Sequence, residues 1–215
     1  MTIKACLFDL DGTLVDSMEL IVASFRETAL HFLGESPPDS ELIAGIGTPL
    51  KEQLSTFSSD PVECDAMREY FAAYYIKNHN AHVKLFEGID TALATLKSSG
   101  QKMGIVTSKN DVGAMRALKH CKIESYFDTI MTIDSTDTHK PNPEPVFKAL
   151  ENLDVKASEA VFVGDSTHDL KAGRAASCFT VAVSWTVFDK DKLDACNPDL
   201  WIQTTAEIAN LNQRF

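Results

Sequence analysis

Short apolar runs recur along the chain and are separated by stretches with helical spacing. Five runs rich in Val, Ile, Phe or Met predict buried strands, at residues 3–8, 102–107, 129–133, 160–163 and 179–183. Continuous runs of this length are typical of parallel strands that are buried on both faces. Amphipathic stretches lie between them, at 91–98, 112–121 and 145–153. This alternation indicates an α/β fold with a Rossmann-like, doubly wound parallel sheet.

One interval breaks the alternation, because residues 15–83 contain no convincing strand pattern. Helical patterns occupy 18–33, 50–57 and 62–76, with a Pro-containing turn at 34–39. A cluster of aromatic residues is expected to pack inside this unit: Tyr70, Phe71, Tyr74 and Tyr75. We therefore predict an α/β core of residues 1–14 and 84–215, with a small helical domain of residues 15–83 inserted after the first strand.

Composition and charge narrow the classes of partner. The formal net charge is −11, which disfavours binding to nucleic acid or to an anionic membrane surface. The N-terminus lacks a signal-peptide pattern, and no apolar run approaches the ~20 residues needed to cross a bilayer. The five cysteines are scattered and form no CxxC pair, which favours reduced thiols over disulfides or zinc. A cytoplasmic protein with a small-molecule partner is expected, either as a monomer or as a homodimer.

Polar residues follow four of the apolar runs, at the edge of a parallel sheet where ligands bind. Asp9 and Asp11 come directly after the first run, and two acids at that position are costly unless a cation holds them. A surface turn at Asp11-Gly12 is the alternative interpretation. Thr107 ends the second run and Ser108 follows it, and their hydroxyls are suited either to bind phosphate or to cap a helix.

Two further segments extend this set. Lys140 lies in a proline-rich loop that restricts its freedom, so it is either a phosphate ligand or a solvated surface group. Asp165 follows the fourth run, where a helix N-cap is the alternative. Asp169 comes four residues later, so both acids can face the same side if a helix begins here. Several acids from different strand ends favour a hard cation with oxygen ligands.

The four segments together resemble the haloacid dehalogenase superfamily over almost the whole chain. The resemblance rests on DxDGTLxDS at 9–17, a later Thr, KPxPE at 140–144 and GDSxxD at 164–169. It implies a Mg²⁺-dependent phosphatase that acts on a small phosphorylated metabolite, with residues 15–83 as a cap domain. In that family pattern, Asp9 is the nucleophile that forms an aspartyl-phosphate, and Asp11 is the general acid and then the base.

The remaining roles also follow from the resemblance. Thr107, Ser108 and Lys140 are expected to hold the phosphoryl group. Asp9, Asp165 and the main-chain carbonyl of Asp11 are expected to bind Mg²⁺. Asp169 is expected to support the metal site, either directly or through Lys140 or water.

The cap placement resembles the group of phosphoglycolate phosphatases and β-phosphoglucomutases. Thr48 and Lys51 lie where that group contacts its substrate, although a turn followed by a helix start explains them equally well. The absence of Arg between Arg26 and Arg68 weakens the mutase hypothesis. The KPNPEP loop and Ser184-Trp185-Thr186 resemble the bacterial inorganic pyrophosphatases. The resulting order is a phosphoglycolate-type phosphatase first and a pyrophosphatase second, ahead of a mutase or a non-catalytic phosphate-binding protein.

His79 and His82 are three residues apart near the end of the inserted domain. A metal-binding pair is conceivable, but so short a pattern is not specific. We interpret the two histidines as a surface pair.

Overall fold

The computed structural model describes residues 2–215 and divides into two compact units. One unit comprises the chain up to Asp16 together with Leu85–Phe215, and the other is Ser17–Lys84. The chain leaves the first unit at one two-residue strand and returns at another, and these two strands pair in a small sheet of their own.

The strands are β1 (Ala5–Phe8), β2 (Val15–Asp16), β3 (Lys84–Leu85), β4 (Lys102–Val106), β5 (Thr129–Met131), β6 (Ala160–Gly164), β7 (Phe179–Val183) and β8 (Leu200–Ile202). The helices are α1 (Met18–Leu33), α2 (Asp39–Gly45), α3 (Leu50–Leu54), α4 (Pro61–His82), α5 (Ile89–Ser98), α6 (Asp111–His120), α7 (Glu144–Leu153), α8 (Thr167–Ala175) and α9 (Lys190–Asp194). A 3-10 helix, Thr205–Gln213, follows β8.

The first unit is built on a six-stranded parallel sheet in the order β5-β4-β1-β6-β7-β8. This confirms the predicted doubly wound α/β fold, and all five predicted strands are present. The chain moves from β1 outward to β4 and β5, and then crosses to the other side of β1 to form β6. The strand order therefore reverses at β1, which is where ligands bind in open α/β sheets.

Three strands were not predicted: β2, its partner β3 and the edge strand β8. The edge strand β8 has only three residues, two of them half-buried, so it lacks the continuous apolar run by which the inner strands were recognised. Strand β2 contradicts the prediction that residues 15–83 contain no strand, but two residues are too few to produce a sequence pattern.

Helices cover the sheet because both of its faces are apolar. On one face, Leu7 and Phe162 pack in a buried cluster with Val146 and Leu150 of α7 and Ala172 of α8. Successive strand residues point to opposite faces, so Phe8 lies on the other face, where its ring meets Phe127 edge to face at 6.4 Å. Every residue of β1 is buried, so the strand is held within the sheet. The polar segment that begins at Asp9 therefore starts from a fixed position.

The second unit is helical, as the sequence pattern indicated. The ring of Phe25 in α1 lies 4.6 Å from that of Phe71 in α4. Of the aromatic cluster, Phe71 and Tyr75 are buried, whereas Tyr70 and Tyr74 are half-buried. Helix α2 was not predicted, because the sequence signal there was dominated by the preceding prolines.

Helix α4 extends six residues beyond its predicted end, and this changes the interpretation of its histidines. Its buried residues recur at helical spacing: Cys64, Met67, Phe71, Tyr75 and His79. His79 is fully buried, so the interpretation of His79 and His82 as a surface pair was wrong for His79. A histidine on the inner face of a helix interrupts the apolar pattern, and the sequence-based helix therefore ended too early. No helix within residues 2–215 has the length and apolar character that a membrane span requires.

Candidate active site

The polar segment after β1 begins in the sheet and then turns away. The Asp9 amide donates to the Val163 carbonyl at 2.9 Å, so the ladder with β6 extends one residue past the strand. Asp9 is 7% exposed, and Asp11 is half-buried. Gly12 has a φ of +80° and an added Cβ there would lie 2.2 Å from Asp165 Oδ2, so glycine is required both for the turn and for the close approach.

Lys140 reaches into this segment as a buried cation. Its Nζ donates to Asp9 Oδ1 at 2.7 Å, to Asp169 Oδ1 at 2.7 Å and to the Val106 carbonyl at 2.9 Å. These three bonds use all three ammonium hydrogens. The structure thus brings together residues from the ends of β1, β4 and β6 with the loop before α7.

Asp169 is held from its other side by Ser166. Asp169 Oδ2 accepts hydrogen bonds from the Ser166 amide at 3.0 Å and from its hydroxyl at 2.6 Å, in a capping box at the start of α8. Both carboxylate oxygens of Asp169 therefore have protein partners. Gly164 makes room for this arrangement, since an added Cβ there would lie 2.2 Å from the Cβ of Asp169.

Asp165 differs from Asp169 in its bonding. Its Oδ1 accepts a hydrogen bond from the Thr13 hydroxyl at 3.3 Å, whereas its Oδ2 is buried with no hydrogen-bond partner among residues 2–215. Carboxylate oxygens of Asp9, Asp165 and Asp169 lie within 4.8 Å of one another. Hard oxygen donors and one orphaned, buried carboxylate oxygen fit a divalent cation such as Mg²⁺.

The electrostatics of the cluster favour the same conclusion. Burial raises the pKa of Asp9 to about 7, although the Lys140 ammonium opposes the shift. Burial and the charges of Asp169 and Asp9 raise the pKa of Asp165 well above its ordinary value. Burial alone would lower the pKa of Lys140, but the charges of Asp169 and Asp9 outweigh it and raise the pKa. The single positive charge of Lys140 therefore does not balance the negative charge that three ionised carboxyl groups would carry. A divalent cation would supply the missing positive charge.

The hydroxyl pair after β4 lies beside the lysine. Thr107 is buried, its amide donates to the Met131 carbonyl at 2.9 Å, and Ser108 is half-buried. Together with Lys140 they line a small hollow whose other walls include Thr132 and His139. Side chains with hydroxyl and ammonium donors at one edge of a sheet suit phosphate oxygens.

The predicted site residues did not include Thr13 and Ser166, which bond Asp165 and Asp169, or three further residues that contact the site. Lys109 Nζ lies 2.6 Å from Asp11 Oδ2. The Thr186 hydroxyl donates to the Asp165 carbonyl at 2.8 Å, and the Trp185 indole donates to the Thr13 carbonyl at 3.2 Å. Lys109 directly follows Thr107-Ser108, but that position alone does not distinguish it from a solvated lysine. Trp185 and Thr186 were noted for their resemblance to the bacterial inorganic pyrophosphatases but were given no role in the site, and their position closely after a predicted inner strand was the signal for one.

Thr48 and Lys51 lie in the second unit. The Thr48 hydroxyl donates to the Gly45 carbonyl at 2.8 Å, and Lys51 is exposed in the first turn of α3. Their predicted contact with substrate stays a prediction.

Comparisons with known proteins agree on one family. Residues 6–183 match the family described as haloacid dehalogenase-like hydrolase. The pyrophosphatase PpaX of Bacillus mycoides is 37% identical to this chain, with 100% of this chain and 99% of that protein covered. The pyrophosphatase PpaX of Anoxybacillus flavithermus is 35% identical, with 98% and 97% covered.

Solved structures show the same fold. A haloacid dehalogenase-like hydrolase from Streptococcus pneumoniae has a TM-score of 0.82 and 27% identity, with 96% of each chain covered. A structure described as a predicted phosphoglycolate phosphatase from Haemophilus somnus has a TM-score of 0.89 and 21% identity, with 98% of each chain covered. At that identity, the second likeness concerns the fold alone.

Proposed function

The chain belongs to the haloacid dehalogenase-like hydrolases, and from that premise we propose that it hydrolyses inorganic pyrophosphate through an aspartyl-phosphate on Asp9. The observation that carries the proposal is a cluster of three buried carboxyl groups, two of which bond one buried lysine. Lys140 Nζ bonds Asp9 and Asp169 at 2.7 Å, and Asp165 lies within the same cluster. A carboxylate held between a cation and a candidate metal site is suited to attack a phosphorus atom.

Asp9, Asp165 and the main-chain carbonyl of Asp11 are the groups proposed to hold Mg²⁺. When bound, Mg²⁺ withdraws charge from phosphoryl oxygens and so reduces the repulsion that an anionic nucleophile meets. Both oxygens of Asp169 are engaged by Lys140 and Ser166, which supports a role in orienting Lys140. Thr186 and Trp185 support the site through the main chain. Thr186 donates to the Asp165 carbonyl and Trp185 donates to the Thr13 carbonyl.

The chain's own residues then divide the work of phosphoryl transfer. Asp9 must be ionised to attack, and the Lys140 ammonium stabilises that form against the effect of burial. Thr107 and Ser108 donate to the oxygens of the transferring group, where charge is spread in the transition state. The positive charge of Lys140 stabilises the same oxygens while its hydrogens stay on Asp9, Asp169 and the Val106 carbonyl. Asp11 moves protons at the leaving oxygen and at the attacking water. The unit Ser17–Lys84 is proposed as the cap, with Thr48 and Lys51 as contacts to the far end of the substrate.

The pyrophosphate assignment rests on the named relatives. Two proteins called pyrophosphatase PpaX align over nearly their whole length at 35–37% identity. The sequence alone placed phosphoglycolate first, and these relatives change the order. Phosphoglycolate stays the second candidate, because the insertion of a helical unit after the first strand resembles the phosphoglycolate phosphatase group.

A substrate panel with Mg²⁺ tests the proposal. We expect kcat/KM for pyrophosphate to exceed that for phosphoglycolate by at least about tenfold, since one enzyme site separates such substrates by differences of a few kcal/mol. Phosphate release is measured for both compounds and for nucleotides and hexose phosphates. A preference for phosphoglycolate supports the second candidate, and no turnover on the whole panel argues for a phosphate-binding protein.

The metal assignment predicts a change that does not depend on turnover. Saturating Mg²⁺ is expected to raise the melting temperature by about 5 °C or more, because a ligand at one hundred times its Kd adds about 2.7 kcal/mol. Asp165→Asn should lose most of this shift. Without Mg²⁺ its melting temperature should not fall, since the change removes a buried charge that Asp169 and Asp9 repel.

The matched control is Asp191→Asn, on the exposed surface of α9. It should keep the full Mg²⁺ shift in differential scanning fluorimetry. An equal Mg²⁺ shift in both variants would place the cation elsewhere.

A further inference from the structure

The loop that follows β7 bonds both of the chain segments that carry the proposed metal ligands. Trp185 Nε1 donates to the Thr13 carbonyl at 3.2 Å, in the segment after β1. The Thr186 hydroxyl donates to the Asp165 carbonyl at 2.8 Å, in the segment after β6. Because β6 lies between β1 and β7 in the sheet, Trp185 reaches past the neighbouring strand to the next one. Two successive residues of one loop thus connect the segments of Asp9 and Asp165.

The main chain of this loop is anchored on both sides of Trp185. The Ser184 amide donates to the Ile202 carbonyl at 3.0 Å, which extends the ladder between β7 and β8. The Thr186 hydroxyl accepts from the Phe188 amide at 3.0 Å while it donates to the Asp165 carbonyl. The indole of Trp185 therefore extends from a fixed part of the sheet edge.

The ring of Trp185 also contacts Phe86. The two ring centroids lie 5.9 Å apart, and both side chains are half-buried. The Phe86 amide donates to the Leu14 carbonyl at 3.2 Å, and Leu14 directly follows Thr13. The ring contact and the indole hydrogen bond thus anchor the same short segment, and they restrict the rotation of the indole.

Thr13 connects the indole to Asp165. Thr13 is fully buried, and its hydroxyl donates to Asp165 Oδ1 at 3.3 Å. This bond is longer than most O–H···O bonds, so a small further displacement of the Thr13 main chain would break it. Asp165 Oδ2 has no hydrogen-bond partner among residues 2–215. A carboxylate with one oxygen held presents the other in a defined direction, and groups that orient a ligand in this way raise metal affinity.

We propose that Trp185 is a positioning residue for the cation. It holds the main chain of Thr13, and the Thr13 hydroxyl holds Asp165 Oδ1 so that Oδ2 is directed to Mg²⁺. The inference rests on the proposed function, whose Mg²⁺ site includes Asp165. It gives Trp185 a role in metal affinity and none in contact with the substrate or in proton transfer.

Trp185→Phe tests this role with little loss of packing. Phenylalanine keeps an aromatic ring beside Phe86 but has no N–H to donate to the Thr13 carbonyl. The Kd for Mg²⁺ is measured by calorimetric titration of the full chain with MgCl₂ alone. It should rise about fivefold, the factor that corresponds to the loss of one ordinary hydrogen bond.

The matched control is Trp201→Phe. Trp201 is the other tryptophan of the chain, and its Nε1 donates to Asp194 Oδ1 at 2.7 Å, outside the site. Both substitutions remove an N–H donor from a half-buried indole, so each should lower the melting temperature by only a few degrees. Only Trp185→Phe should weaken Mg²⁺ binding. The same Kd for Mg²⁺ in wild type and in both variants would overturn the proposal.

A double-mutant cycle tests whether Trp185 acts through Thr13. Thr13→Val removes the hydroxyl and should raise the Kd for Mg²⁺ at least as much as Trp185→Phe, whereas Thr13→Ser keeps a hydroxyl and should retain the wild-type Kd. Without the hydroxyl there is nothing for Trp185 to position, so the double variant should bind Mg²⁺ as Thr13→Val does. Additive losses, or an unchanged Kd in Thr13→Val, would overturn the proposed route. Thr13→Ala is measured as well, so that the cycle is completed with whichever variant folds.

The affinity for Mg²⁺ is independent of the pyrophosphate assignment. If the wild-type chain ignores pyrophosphate while Trp185→Phe still weakens Mg²⁺ binding, the proposed substrate is wrong and the role of Trp185 stands. If pyrophosphate is hydrolysed and the Kd for Mg²⁺ does not respond to Trp185→Phe, the proposed function stands and the role of Trp185 is wrong. A wild-type chain that binds no Mg²⁺ would overturn both the metal site and the role of Trp185.

Discussion

Asp9→Asn is expected to lower kcat/KM for every phosphate substrate by at least roughly a thousandfold, because removal of a nucleophile takes away the whole covalent route. The amide has nearly the shape of the carboxylate but cannot attack phosphorus. Asp9 Oδ1 accepts a bond from Lys140 at 2.7 Å, and an amide oxygen can accept it as well. The loss should therefore come from chemistry rather than from a collapsed site.

Stability should change little in this variant. Burial raises the pKa of Asp9 to about 7, so the carboxylate is already costly at neutral pH and a neutral amide relieves part of that cost. Lys140 keeps Asp169 as its partner at 2.7 Å. We expect the melting temperature without Mg²⁺ to stay within a few degrees of wild type, since isosteric changes that leave no unpaired charge are mild.

Acid quenching during turnover of radiolabelled pyrophosphate measures the intermediate directly. Wild-type protein should carry label in the precipitate, and Asp9→Asn should carry none. Asp191→Asn serves as the control, because it makes the same chemical change at an exposed position. Label or wild-type rates in Asp9→Asn would show that another group attacks phosphorus.

The fold could be predicted from sequence because the inner strands are buried on both faces. Such strands appear as continuous apolar runs, and β1 is an example in which every residue is buried. The edge strand β8 and the end of helix α4 were harder to predict, because the prediction depends on unbroken apolar patterns. Part of a short edge strand faces solvent, and the inner face of α4 includes His79, so neither element has an unbroken apolar pattern.

The location of the candidate site could be predicted, but its hydrogen bonding could not. The spacing of polar residues after apolar runs predicted which strand ends matter, and the structure brings Asp9, Lys140 and Asp165 together there. Sequence left open whether Asp169 supports the metal site directly or through Lys140 or water. Its two oxygens prove to bond Lys140 and Ser166, and that information lies in side-chain directions that no spacing encodes.

Lys109 is a second example of a side-chain contact that sequence does not predict. Lysines after strands are usually solvated, so nothing in the sequence distinguishes one that reaches 2.6 Å from a carboxylate 98 positions away. Only the sheet order, which puts β4 next to β1, brings Lys109 to Asp11. Asp9, two residues before Asp11, instead forms its ion pair with Lys140, from a loop that is distant in sequence.

Lys140→Met should have the largest effect on stability and a large effect on activity. The change leaves Asp9 and Asp169 buried beside each other without the ammonium that lies 2.7 Å from both. Breaking a buried ion pair from one side costs about 3–5 kcal/mol, and protonation of Asp9 places the expected loss near the lower figure. At about 2–4 °C per kcal/mol for a chain of this size, the melting temperature should fall by about 10 °C. Turnover should fall at least about a hundredfold, because the nucleophile and the phosphoryl charge lose the buried ammonium beside Asp9.

Lys97→Met is the matched control for that result. Lys97 also bonds an aspartate, Asp128, at 2.8 Å, but the two side chains are 41% and 39% exposed. Exposed pairs contribute about 0–1 kcal/mol, so this variant should keep its activity and melt within a few degrees of wild type. The two substitutions remove the same side chain from ion pairs of nearly equal length. They differ in burial and in the second aspartate that Lys140 bonds. If calorimetry gave the same change in melting temperature for both variants, the Lys140 cluster would be hydrated in solution. The argument that one buried cation holds Asp9 in position for attack would then be wrong.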